Sequence, residues 1–135
     1  MTATSRRILA ALPRLRREAE ALMTATWLVE RLADDAPLVG YVPTPTRTTV
    51  YTGRGKLQSY EGHEQRTGLS NATVVVQRLS IHFPVGGFAP EPGDVATCTA
   101  STDPAIVGRV YRIAQAWPVK EHATSYRVFV DEVLP

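Results

Sequence analysis

Residues 73–85 read TVVVQRLSIHFPV, residues 86–93 GGFAPEPG and residues 94–101 DVATCTAS. The first stretch alternates: Leu79, Ile81, Phe83 and Val85 fall on one side, and Arg78, Ser80 and His82 on the other. That period of two marks a half-buried strand. The third stretch alternates Ala and Cys against Val and Thr, small on both faces. The middle stretch of Gly and Pro ends at Pro92-Gly93-Asp94 and breaks the chain between the two strands.

Further strand patterns lie on both sides. Thr24 to Ala33 is β-prone through Thr26, Trp27, Leu28 and Val29. Thr48 to Tyr60 reads as a strand with Gly53-Arg54-Gly55 inside it, which predicts a bulge or bend there. The segments after Ile106 and after Ala123 carry apolar residues on both faces, with Tyr126, Val128 and Val130 on one side and Phe129 and Val133 on the other. Such strands must be covered twice, by a core and by a helix or a neighbouring subunit. Asp34 to Thr46 holds Pro37, Gly40, Pro43 and Pro45, and predicts a loop or irregular edge. Glu61 to Ala72, EGHEQRTGLSNA, is polar and predicts a long extended loop.

Ser5 to Met23 has helical periodicity. Ile8, Leu12, Leu15, Ala19 and Leu22 recur at steps of four and three and form one apolar stripe, expected to dock on the barrel. Pro13 lies off that stripe, where it either kinks the helix or opens a second one. The expected fold is therefore mainly β: a small antiparallel barrel or sandwich of about six strands with an N-terminal helix. Residues 1–23 form the helix, residues 24–135 the barrel, and residues 61–72 a long loop.

A chain of 135 residues buries roughly two thirds of its unfolded surface and needs neither metal nor disulfide to hold a core. Its one cysteine excludes an internal disulfide. No apolar run is long enough for a membrane helix, and charge interrupts the N-terminal apolar segment too early for a signal peptide. Net charge is +2, with five arginines against two glutamates in residues 1–23. Arg6, Arg7, Arg14, Arg16 and Arg17 are thus the candidates for contact with DNA phosphates, against a plain reading as a solvated face with Arg14–Glu18 and Arg16–Glu20 pairs.

Nothing in the pattern points to chemistry. His63, His82 and His122 are far apart and lack metal-ligand spacing, so no metal or cofactor is expected. Cys98 beside His82 is the one imaginable nucleophile and base, but a strand cysteine is usually a small core residue. Gly53-Arg54-Gly55-Lys56 leads into a strand rather than a helix and so lacks the phosphate-cradle context. Trp27, Trp117 and Phe129 read as anchors of the core or of subunit contacts. The expectation is a protein that is not an enzyme.

The order of several weak motifs carries a resemblance. The helix ends near Glu20-Ala21-Leu22-Met23 and leads into a Thr-bearing strand. Val50-Tyr51-Thr52-Gly53, Val76-Gln77-Arg78-Leu79 with Pro84-Val85, and Pro92-Gly93-Asp94-Val95 follow. Then come Asp103-Pro104, Val107-Gly108-Arg109, His122-Ala123-Thr124 and Arg127-Val128. From about Glu20 to Val133 the chain resembles small actinobacterial phage and prophage head-to-tail connector proteins, specifically the stopper. The resemblance implies a virion neck protein, made in the host cytoplasm. It would assemble as a homo-oligomeric ring between portal and adaptor proteins on the head side and tail proteins on the other. It would close the DNA channel after packaging and offer the surface on which the tail docks, in non-specific contact with packaged DNA and with no membrane partner. The channel loop would be Glu61, Gly62, His63, Glu64, Gln65, Arg66, Thr67 and Gly68. The alternatives are another neck component, an adaptor or tail terminator, or a stand-alone nucleic-acid-binding barrel. A hydrolase built on Cys98 or a histidine is the third class.

Overall fold

Thr2 is extended, and its hydroxyl accepts the Ser5 amide at 3.1 Å, capping a helix, α1, that runs Ala3–Ala21. Pro13 sits inside this single helix at an exposed position. The computed structural model describes residues 2–33, 38–39, 42–43, 46–66, 73–116 and 121–133. After α1 come β1 (Ala25–Leu32), β2 (Leu38–Val39), β3 (Val42–Pro43), β4 (Arg47–Arg66), β5 (Thr73–Phe83) and β6 (Val95–Ala100). A short 3-10 turn (Pro104–Ile106), β7 (Val110–Ala116) and β8 (Tyr126–Val133) complete the chain.

Six of the strands close a barrel in the order β1-β4-β5-β8-β7-β6, with β6 pairing back to β1 and every contact antiparallel. Closure leaves the wall without the open edge that recruits foreign strands. The expected fold class is the observed one. Where the Pro-rich stretch predicted a loop, β2 and β3 form a small two-stranded sheet through Leu38↔Pro43 and Val39↔Val42; the rest of that stretch lies outside the described residues.

The core follows from strand alternation. Ala25, Trp27 and Val29 of β1, Ile81 and Phe83 of β5, Ala96 and Cys98 of β6, Tyr111 and Ile113 of β7, and Val128 and Val130 of β8 all point inward and are buried. Trp27 meets Tyr111 edge-on, with ring centroids 5.7 Å apart. β4 gives the interior little bulk where it faces Trp27: a Cβ on Gly55 would sit 2.6 Å from Trp27 Cδ1. Gly53 and Gly55 therefore serve clearance, not an unusual torsion, and the β1–β4 register runs unbroken past both. The bulge expected there lies instead opposite Val29/Glu30, where Val50 is the extra residue.

β4 is long because it serves two neighbours in turn. Its first half, to Gly55, pairs with β1, and its second half, from Lys56, pairs with β5. The segment from Pro84 to Gly93 fills the gap this leaves beside Tyr51. Phe88 stacks on Tyr51 at 4.7 Å, and both rings meet Phe83 edge-on at 5.0 and 5.4 Å. Gly86 and Gly93 turn this segment at positive φ, 87° and 94°.

The segment is pinned at its end. Asp94 is buried; its Oδ1 and Oδ2 accept Arg31 Nε and Nη2 at 2.9 and 3.0 Å, and Oδ2 also accepts the Glu91 amide at 3.0 Å. Arg31 Nη2 further donates to the Ala89 carbonyl at 3.0 Å. One fork thus ties the end of β1 to the segment that leads into β6.

Candidate functional site

The stripe of α1 is only half used. Leu12 and Met23 are buried and Ala19 is partly covered, so this line of the helix faces the barrel. Ile8, Leu15 and Leu22 lie one step round and remain exposed, Leu22 at 62%, with Leu9 exposed on the other flank. The expectation that the whole stripe docks is corrected: Leu12 and Met23 set the contact line, and a cylinder on a convex barrel presents only one such line. Chains seldom leave apolar residues of this size side by side without a use for them.

Arg16 explains part of the rotation. Its Nε donates to the Ala123 carbonyl at 3.0 Å in the turn before β8, and Ala123 is itself buried. It is a half-covered strut of the fold, and the Arg16–Glu20 pair does not form. Arg14 does pair with Glu18, at 3.9 Å with both side chains exposed, a contact worth little in water. Arg6, Arg7 and Arg17 are exposed.

The expected channel loop is a ribbon for much of its length. Glu61, Gly62, His63, Glu64, Gln65 and Arg66 belong to β4, and pairing with β5 continues through Glu61↔Gln77, Glu64↔Val75, Gln65↔Val74 and Arg66↔Thr73. This corrects the loop reading. Polar residues hold a strand here because the partner stretch TVVV is strongly β-forming and the ladder itself needs no apolar side chains. Thr67 and Gly68, like the rest of 67–72, lie outside the described residues. β8 joins β5 only from Leu79 onward, so the pairs from Tyr60↔Arg78 to Arg66↔Thr73 form a two-stranded arm that leaves the barrel wall.

Of the three aromatic anchors, Trp27 is fully buried in the barrel core and is not a subunit contact, because it occupies an inward position of β1. Its buried indole N–H has no acceptor among the described residues. Phe129 is half-buried on the outward face of β8, in register with Ser80. Trp117 lies outside the described residues.

The imagined dyad is geometrically excluded. Cys98 is buried inside the barrel on β6, whereas His82 points outward from β5, which is not a neighbour of β6. Burial pushes the Cys98 thiol up, away from thiolate chemistry. His82 is held down at about 4, first by burial and then by Arg127 and Lys56 on the adjoining strands. Among the described residues no three His, Cys, Asp or Glu side chains gather to hold a metal ion.

Hollows open on the surface among the described residues. An open groove of about 670 Å³ runs between the 3-10 turn and the outer face of β6–β8, floored by Val95, Thr97, Val110 and Val133 and flanked by the 2.7 Å Arg109–Glu132 ion pair. A smaller one of about 210 Å³ lies between the end of α1 and Lys56, with Asp103 and Ile106 on its rim.

Comparison with known protein families matches residues 15–131 to a family of unknown function, DUF6093. The chain belongs to that family. No curated protein matches it. The matched span takes in the last turns of α1, with Leu15 and Leu22 of the exposed stripe, five barrel strands whole and β8 as far as residue 131. It begins after Ile8, Arg6 and Arg7.

Proposed function

We propose that this chain is a building block of a homo-oligomeric assembly, the stopper ring of a phage head-to-tail connector, that closes the DNA channel and receives the tail. The observation that carries the reading is the arm. A two-stranded ribbon of this kind is marginal in water by itself, and here it stands off a closed barrel with no third strand beside it among the described residues. It gains a role when copies surround an axis and their arms converge, the position the stopper resemblance assigns to residues 61–68. The exposed line Ile8, Leu15 and Leu22 on α1 supports the same reading, because a heterologous contact that closes on itself needs such an unmatched patch on every copy.

Virions made without this protein are the test. Filled or leaking heads without tails are expected, and normal tailed particles refute the reading. In vitro, the chain mixed with its portal and adaptor should appear as rings by electron microscopy. Leu15→Ser with Leu22→Ser should abolish the rings while leaving the unfolding midpoint of the isolated chain nearly unchanged. Rings that survive the substitutions remove the helix from the interface.

A further inference from the structure

Seven large apolar side chains stand exposed among the described residues, and they fall in two places. Four are on α1. Val107 and Val133 line the large groove, and Leu32 is the cross-strand neighbour of Arg47, which lines it too. The unmatched apolar surface of this chain is thus one ridge and one groove.

The two fit each other in size and in charge. Thr97, Val110 and Val133 stand opposite one another across β6, β7 and β8, a row of about 10 Å at about 4.8 Å per strand. Leu15 and Leu22, seven residues apart, are separated by about 10 Å along the helix at about 1.5 Å per residue. Anchors at that spacing are how an amphipathic helix seats in an apolar groove. At about 100° per residue Arg6 and Arg17 fall on the far side of α1, while the exposed Arg14–Glu18 pair flanks the ridge. The groove is flanked in turn by Arg47–Glu30 and Arg109–Glu132, so each side offers both signs to the other.

The groove is also built in advance. Asp103 Oδ1 accepts the Ala105 amide at 2.9 Å, Arg109 Nε donates to the Ala105 carbonyl at 2.9 Å, and the Gly108 amide donates to the Cys98 carbonyl at 2.8 Å. A wall held this way spares an entering side chain the cost of ordering it. The ridge cannot enter its own groove. The 3-10 turn gives Asp103 and Ile106 to the small hollow that Leu22 lines, and Ala105 and Val107 to the groove, so it stands between the two. Buried Leu12 and Met23, with Arg16 bonded to the Ala123 carbonyl, fix α1 on its own side.

We infer that the groove between the 3-10 turn and the outer face of β6–β8 receives Leu15 and Leu22 of α1 from a second copy of this chain. This contact rests on the reading of α1 as the ring interface and adds the surface that accepts it. Ridge and groove share no residue, so the contact is head to tail, and every copy keeps one of each for the next.

The test is disulfide capture between intact chains. Leu22→Cys protein is mixed with Val107→Cys protein under mild oxidation, alone and with portal and adaptor; Cys98 is buried and does not compete. Mixed dimers should form many times faster than with Gln58→Cys, exposed on the opposite wall of the barrel, and faster than Leu22→Cys with itself. A chain carrying both cysteines should give a ladder of multimers. Val133→Lys in the Val107→Cys chain should reduce capture to the control rate, because its ammonium would be buried beside Arg109. Thermal unfolding confirms that each variant is folded. Capture no faster than the control in either mixture overturns the inference, as does capture unaltered by Val133→Lys or a preference of Leu22→Cys for itself. Rings lost with Leu15→Ser and Leu22→Ser but kept with Val107→Lys and Val133→Lys overturn the groove and leave the connector reading standing. Ridge-to-groove capture by a chain whose deletion leaves tailed particles normal upholds the groove and overturns the connector.

Discussion

Replacing Arg31 by alanine should cost about 3 kcal/mol of folding stability. The Asp94 carboxylate is almost wholly buried, 2% exposed, and of its partners only the Glu91 amide would remain. Removing one member of a buried ion pair costs about 3–5 kcal/mol, because the surviving charge stays desolvated and unpaired. Arg31 is about a third exposed, at 34%, so water screens part of the attraction and the lower end of that range applies. Asp94→Asn keeps an oxygen for the Glu91 amide but turns an NH2 group toward the guanidinium, and should cost about 2 kcal/mol. Arg31→Met with Asp94→Leu should cost less than the two single changes together, with a coupling of about 2 kcal/mol, since neither partner is left stranded. For a chain of this size Arg31→Ala should lower the melting temperature by about 10 °C. Urea and thermal unfolding followed by circular dichroism give these values. A loss under about 1 kcal/mol for Arg31→Ala, or additivity of the cycle to within about 0.3 kcal/mol, would refute the pin.

Gly55→Ala should destabilise by about 1–3 kcal/mol, because the new methyl meets Trp27 Cδ1 at 2.6 Å and the His82 carbonyl at 3.3 Å; Gly86→Ala, with open space but φ of 87°, should cost about 1 kcal/mol, and unfolding curves of the two separate clearance from torsion. His82 has its pKa lowered from 6.5 to about 4 on folding, so its contribution is complete above about pH 6.5 and drains away as pH falls from there through 4. For a half-exposed ring, screening reduces that contribution to about 1–2 kcal/mol; His82→Gln should flatten the acid limb of the stability profile, and a histidine that titrates near 6.5 by NMR would contradict the packing. Cys98 should resist Ellman's reagent in the folded protein and react fully in denaturant; fast native labelling would mean that β6 opens locally.

The strands were legible because their apolar residues repeat every second position, and the inward sets around Ile81 and Val128 are those the alternation marks out. The purpose of Gly53 and Gly55 was not legible. A glycine reads the same whether it supplies a torsion or makes room, and only the position of Trp27 decides between them. The arm was hidden for a related reason: EGHEQR looks like a loop until its partner TVVV is placed beside it. The Arg31–Asp94 fork joins residues 63 apart, which no local pattern announces. On α1 the periodicity located the apolar sector correctly, yet which line within it meets the barrel shows only in the burial of Leu12 and Met23 and in Arg16 reaching the Ala123 carbonyl. The alignment of Lys56, His82 and Arg127 was invisible as well, because they become neighbours only through two strand registers.

The shared strand β4 has a mechanical consequence. One unbroken run of twenty residues is clamped by β1 along its first half and enters the arm along its second. Tension on the arm's tip therefore divides between two backbones, β4 held by β1 and β5 held by β8, and loads both ladders lengthwise. The hydrogen bonds of each ladder share the strain at once, as in a lap joint, instead of giving way singly like the teeth of a zip. A segment anchored in this way can be pushed or pulled hard from outside while the vessel it is rooted in keeps its shape.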